Sequence, residues 1–142
     1  MNGVGDSDRL RTMALARLQE DLRQVHREAE RHEARLGRPP GELIVEEKEP
    51  SPGRPFNTGR SVSRWRVGLD SIVAVPIESS VPTPTASGMY WDVGRGDFAA
   101  LANGGLRIGW FVGPRYGRGF DYPVIDQDGE PRLGDRVSVW AS

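Results

Sequence analysis

Residues 9–36, RLRTMALARLQEDLRQVHREAERHEARL, contain neither Gly nor Pro and are rich in Arg, Leu, Ala, Glu and Gln. These residue types lose least on entering a helix. Asp6, Ser7 or Asp8 is placed to cap the start, and Gly37 followed by Pro39 and Pro40 is a strong stop. The stretch predicts one helix of about 29 residues, or about 43 Å at 1.5 Å per residue. A rod of that length needs a surface to lie on.

Leu15, Leu18, Leu22, Val25, Ala29, His32 and Leu36 recur at alternating intervals of three and four, a heptad stripe. The stripe is the expected interface of the helix. It suits a coiled-coil seam, the chain's own β region, or another protein. In a parallel homodimer Glu28 would face Glu33 of the second copy and Asp21 would face His26, so a simple parallel zipper is poorly supported. Arg23, Arg27, Arg31 and Arg35 form a cationic stripe, but Glu20, Asp21, Glu28, Glu30 and Glu33 are interleaved with it, as on a solvated face or one opposite an acidic protein.

Downstream, residues 37–60 hold Pro39, Pro40, Pro50, Pro52 and Pro55 with several glycines, and read as a Pro/Gly-rich linker. Leu43, Ile44 and Val45 interrupt it, as a surface patch or a strand added to a neighbour's sheet. Charge changes sign from Glu42, Glu46, Glu47 and Glu49 to Arg54, Arg60, Arg64 and Arg66, blocks suited to meet between subunits. From residue 61 the period becomes two: Trp65, Val67, Leu69, Val73, Val75 and Ile77 share one parity, and Leu106 to Val112, Phe120 to Val124 and Val137 to Val139 repeat the pattern. Turn signals separate these runs, among them Asn103-Gly104-Gly105 and Asp128-Gly129. The expected fold class is therefore α+β in segregated parts: a helix over residues 1–36, a linker over 37–60, and a small antiparallel β-barrel or β-sandwich over 61–142.

Composition bounds the chemistry. The chain has 142 residues, 37% hydrophobic and 27% charged, with net charge -1 and no Cys. That is one domain's length, without disulfides, thiolate metal sites or a cysteine nucleophile. Nineteen residues are Lys or Arg and Lys48 is the one lysine, so the basic side is guanidinium, which suits ion pairs and interfaces. No apolar run approaches the roughly 20 residues needed to span a bilayer, and no signal peptide is visible, so synthesis in the cytoplasm is expected, with secretion by a route without a cleaved signal left open and a virion as one setting, and no membrane partner is.

Motifs that would carry catalysis are weak. His26 and His32 are six apart on a helix, on different faces, and cannot form an i, i+4 zinc pair or serve a distant serine. Gly94-Arg95-Gly96-Asp97-Phe98-Ala99 fits a relaxed G-x-G-x-x-A pattern, but Asn103-Gly104-Gly105 follows too soon for a phosphate-binding helix. The Arg95-Gly96-Asp97 triplet, an integrin-recognition tripeptide, reads as a hairpin tip. Asp126-Gln127-Asp128-Gly129-Glu130 lacks the ligand spacing of a calcium loop and reads as a turn. Arg115, Tyr116 and Arg118 lie on an expected exposed loop with the composition of a protein interface or a single-stranded nucleic-acid platform. No catalytic residue, cofactor or metal is expected. The function expected is a non-enzymatic structural or assembly protein that docks or oligomerises through its helix, with protein partners, self or a larger assembly such as a virion head, connector, tail or fibre. A nucleic-acid-binding module is the alternative.

Overall fold

The computed structural model describes residues 3–31, 37–51, 53 and 55–142. Among the described residues one helix, α1 (Gly3–Glu30), precedes eleven strands. Seven form a single open mixed sheet: β1 (Glu42–Lys48), β2 (Ser61–Gly68), β3 (Ile72–Val75), β6 (Gly94–Ala100), β7 (Leu106–Gly113), β8 (Tyr116–Tyr122) and β11 (Val137–Ala141), in the order β11-β8-β7-β6-β1-β2-β3. β1 and β6 run parallel and every other neighbouring pair is antiparallel. Two small ribbons complete the set, β4 (Ala86–Ser87) with β5 (Tyr90–Trp91), and β9 (Val124–Gln127) with β10 (Glu130–Leu133).

The sheet does not close into a barrel, nor does a second sheet cover it. Its second layer is α1. Ala14, Leu15, Leu18, Leu22 and Val25 are buried in the same cluster as Leu43, Val45, Val67, Phe98, Leu106, Ile108, Trp110, Val112 and Tyr122. Helix and sheet therefore share one core, and the helix is not a separate rod. Polar ties fix its register: Gln19 Nε2 donates to the Gly68 carbonyl at 2.8 Å, Arg23 Nε to the Leu69 carbonyl at 2.9 Å, and Arg11 Nε to Glu47 Oε1 at 2.9 Å. The helix begins at Gly3, so Asp6, Ser7 and Asp8 lie within its first turns and do not cap it. Of the expected seam, Leu15, Leu18, Leu22 and Val25 are consumed by the core and Ala29 packs at its margin. His32 and Leu36 lie outside the described residues.

The supposed linker contains an interior strand of the sheet. β1 pairs with β2 on one side and β6 on the other, so Leu43, Ile44 and Val45 are interior. The acidic and basic blocks meet within the chain: Glu46 with Arg64 at 3.2 Å, Glu42 with Arg66 at 2.8 Å, Glu49 with Arg60 at 3.0 Å. A run of only three apolar residues between prolines gave no period to read, and a strand buried on both faces has none.

The β2–β3 hairpin corrects a second expectation. Arg64 pairs with Val75 and Arg66 with Val73, so odd residues of one strand oppose even residues of the other. A two-residue turn at Leu69 and Asp70 thus inverts the parity, and Val73 and Val75 leave the helix-covered face that Trp65 and Val67 occupy. The Arg95-Gly96-Asp97 triplet is no hairpin tip. It lies inside β6, between β1 and β7. A Cβ on Gly96 would meet Val45 Cγ2 at 3.2 Å and Leu18 Cδ2 at 3.3 Å, so this glycine is where the helix rests on the sheet. Asp128 and Gly129 both have positive φ, 57° and 82°, as the expected Asp-Gly turn of β9–β10 requires.

Candidate functional site

The opposite face of the sheet carries charge and a row of aromatic rings. Phe56, Trp140, Phe111 and Trp91 follow one another with centroid separations of 5.2, 4.9 and 6.3 Å. They lie on glycine: a Cβ on Gly119 would overlap the Trp140 indole, and one on Gly117 the Phe111 ring. The row is a second, smaller apolar cluster pinning the 49–60 loop. Its sequence signal is the β8 glycine opposite two of the rings, Gly117 opposite Phe111 and Gly119 opposite Trp140.

Beside it stands Asp97, partly buried, whose Oδ1 accepts from Asn57 Nδ2 at 2.7 Å. Burial raises its pKa to about 6, against the Asn57 hydrogen bond and Lys48, while Glu46 adds to the rise. The neighbouring cavity of about 380 Å³ is lined by Pro50, Asn57, Leu101, Asn103, Arg107 and Asp121, and the last two form a two-pronged ion pair at 2.6 and 2.8 Å. Since the folded pKa lies above the model-peptide value of 3.8, Asp97's contribution to stability is present below pH 3.8 and is lost as pH rises through about 6. Asp97→Asn keeps the acceptor for Asn57 and removes the buried charge. It is expected to stabilise the protein at pH 8 by roughly 1–2 kcal/mol and to give no gain at pH 3.5, as read from urea unfolding at both pH values.

A second cavity gathers the loop residues singled out by composition. Arg115, Tyr116 and Arg118 line a cleft of about 490 Å³ with Glu28, Met89, Tyr90 and Ser142. Four segments build it. Arg115 sits in the two-residue turn between β7 and β8, and Tyr116 and Arg118 follow on β8. Glu28 comes from the last turns of α1. Met89 is in the β4–β5 turn, which presses on the end of β7 so closely that a Cβ on Gly113 would overlap the Met89 carbonyl.

Within the cleft, Tyr116 Oη donates to Glu28 Oε2 at 3.0 Å. The Arg118 guanidinium lies 5.2 Å from the Tyr116 ring centroid, and its Nη1 donates to the Ser142 carbonyl at 2.9 Å. Tyr90 and Trp110 flank the Tyr116 ring at 6.1 and 5.7 Å. Burial, the Glu28 hydrogen bond and the Glu28 charge push the Tyr116 phenol up to about 12, so at neutral pH it is fixed as a donor and exchanges no proton. Met89 is 39% exposed at the rim, and Arg115 is exposed with no ion pair among the described residues. The arrangement offers an aromatic floor, a thioether, one uncommitted cation and one half-buried carboxylate. These are means of binding.

The triplet was legible because its members lie within four positions, but only Arg115 is on a loop: Tyr116 and Arg118 are partly buried on β8, not exposed as expected. Glu28, Met89 and Tyr90 were not legible, because only the fold brings them there. His26, the one described histidine, donates from Nε2 to the Pro40 carbonyl at 2.7 Å and lines none of these clefts. Among the described residues no three of His, Cys, Asp and Glu come together as metal ligands, the Asp126, Asp128 and Glu130 carboxylates of the β9–β10 hairpin included, and no helix is long and apolar enough to cross a membrane. No protein-family model, curated protein or solved structure matches this chain.

Proposed function

We propose that this chain is a non-enzymatic structural subunit that docks a protein partner in the cleft around Tyr116, as a component of a larger assembly, with a virion as one setting. The observation that carries the reading is the convergence of Met89, Tyr90, Tyr116, Arg115 and Arg118 on one partly open cleft. Tyr, Met and Arg are the residue types enriched where interfaces concentrate their energy, and here Tyr116 and Arg118 are held in place by hydrogen bonds before any partner arrives. With four of the seven seam residues spent on the core, the helix contributes Glu28 to this surface in place of an apolar stripe.

Arg118 stacked on Tyr116 also resembles part of a platform for single-stranded nucleic acid. The Glu28 carboxylate in the same cleft opposes a phosphate backbone, which favours a protein partner. Cross-linking from the neighbouring exposed position 114 in the host cell, followed by co-purification, is the test. Arg115→Glu with Met89→Asp is expected to abolish the cross-linked partner with the melting temperature within about 2 °C of the parent, since both are surface positions. An oligonucleotide retained at low salt and released steeply with added salt would replace this reading with the nucleic-acid one.

A further inference from the structure

The face of the sheet away from α1 carries a second group of cations, which shares no residue with the Tyr116 cleft. There Glu46 of β1 stands between Arg64 of β2 and Asp97 of β6, and Ile44, two residues back, stands between Arg66 and Arg95. The connection from β3 to β4, residues 76–85, crosses this face as a strap. Its Ser79 carbonyl accepts from Arg64 Nη1 and its Pro82 carbonyl from Arg95 Nη2. Pro82 and Pro84 have no N–H to give. Before Thr85, the strap's one main-chain pair among the described residues is its own turn, Ser79 N–H to the Pro76 carbonyl at 3.1 Å.

Two carbonyls do not use up two guanidiniums. Arg64 Nε and Arg95 Nη1 are the side-chain polar atoms left buried without a hydrogen bond among the described residues. Such donors are uncommon, because each has given up its bonds to water for nothing in return. Arg64, 11% exposed, also holds Glu46 at 3.2 Å, but Arg95 has no carboxylate in contact among the described residues. The acids around it are spent: Glu46 on Arg64 and Lys48, Asp92 Oδ1 on the Thr85 and Val93 N–H groups at 2.9 Å each, and Asp97 on Asn57. Glu78, on the strap itself, is exposed and makes no ion pair among the described residues. Burial lowers the Arg95 pKa from its ordinary value and Arg64 adds to the fall, against Glu46 and Asp92.

We propose that Arg64 and Arg95 form a binding site for a small carboxylate anion, with the strap as its lid. The two unpartnered donors belong to guanidiniums that hold the same short stretch of strap, and they match the two oxygens of one carboxylate. Charge selects a monoanion. Glu46, Asp92 and Asp97 flank the pair, so a second negative charge would face them with no donor left to meet it. Ile44, 5% exposed, gives the site a dry floor, where charge-assisted bonds are stronger than in water. Because both donors are shielded from solvent, the anion enters as the strap lifts, and its oxygens take over from the Ser79 and Pro82 carbonyls.

The experiment is an NMR titration of the full chain with sodium acetate, against sodium chloride at equal ionic strength and neutral pH. It follows the arginine Nε–H signals and the carbonyl carbons of Ser79 and Pro82. Expected is a joint, saturable shift of Arg64 Nε–H and both carbonyls, with a Kd of roughly 1–50 mM, since so small an ion offers few contacts. Arg95→Gln is expected to remove the saturation. Arg95→Lys keeps the charge but not the planar fork, is expected to weaken binding about fivefold or more, and serves if the glutamine variant melts early. Arg66→Gln, on the same face but already paired with Glu42, and Arg115→Glu in the cleft are expected to leave acetate binding unchanged. No saturation with acetate, the same shifts with chloride, tighter binding of sulfate than of acetate, or saturation that survives Arg95→Gln overturns the inference.

Discussion

Asp21→Ala is expected to cost about 3 kcal/mol of folding stability, the low end for removing one partner of a buried ion pair. Asp21 is 4% exposed, the one charged residue in the buried set. Its Oδ1 accepts from Arg17 Nε at 3.0 Å and lies 3.5 Å from Arg136 Nη1, and its Oδ2 accepts from Trp110 Nε1 at 3.2 Å. Arg136 in turn spans Tyr122, at 3.3 Å from its hydroxyl, and the face of Phe120, at 3.9 Å from the centroid. One carboxylate thereby ties the middle of α1 to β7, to β8 and to the segment leading into β11. Its loss strands the indole N–H, a buried donor worth about 1–3 kcal/mol, and leaves two cations facing one another. Both arginines keep access to water, at 31% and 43% side-chain exposure, and that holds the cost near the bottom of the range. Asp21→Asn keeps the size and an acceptor, and should lose about half as much. Urea unfolding of the two variants gives the numbers; equal losses would mean that the charge carries the whole effect and the retained acceptor none of it.

Asp21 also marks where sequence reading ends. On a helix drawn alone it falls beside the heptad stripe, in register with His26 of a second helix. In the fold it is turned to the sheet and its partners come from residues 110 and 136. The helix itself, the two-residue period and the Asp-Gly turn were legible, because each rests on contacts between residues a few positions apart. The heptad spacing was legible too, but an apolar stripe says that something covers it and not what. β1 was illegible for a related reason. Its neighbours are residues 61–68 and 94–99, and flanking prolines dominated the local signal. The parity inversion after Leu69 needed a turn of known length. Where the site is concerned, Arg115, Tyr116 and Arg118 stood out by composition, and Glu28, reaching Tyr116 from 88 positions away, could not.

Leu18→Ala distinguishes a core helix from an interface helix. Leu18 has no exposed surface, and replacing a buried leucine with alanine costs about 2–5 kcal/mol once the cavity is counted. If the stripe were a seam between copies, the loss would appear in the concentration dependence of unfolding and would shrink for a monomer. Packed against its own sheet, it should be the same at 1 and 100 times dilution, with a fall in melting temperature of roughly 10 °C. The contact that makes this specific is with Gly96, where an added Cβ would stand 3.3 Å from Leu18 Cδ2. Gly96→Ala alone crowds that contact and should cost about 1 kcal/mol. In the Leu18→Ala background the same methyl loses one of its two close neighbours and keeps the Val45 Cγ2 contact at 3.2 Å, so its cost should fall, a coupling of about 0.5 kcal/mol or more. Additive losses at the two positions would mean that the helix does not rest on β6, and the shared core of helix and sheet would have to be abandoned with it.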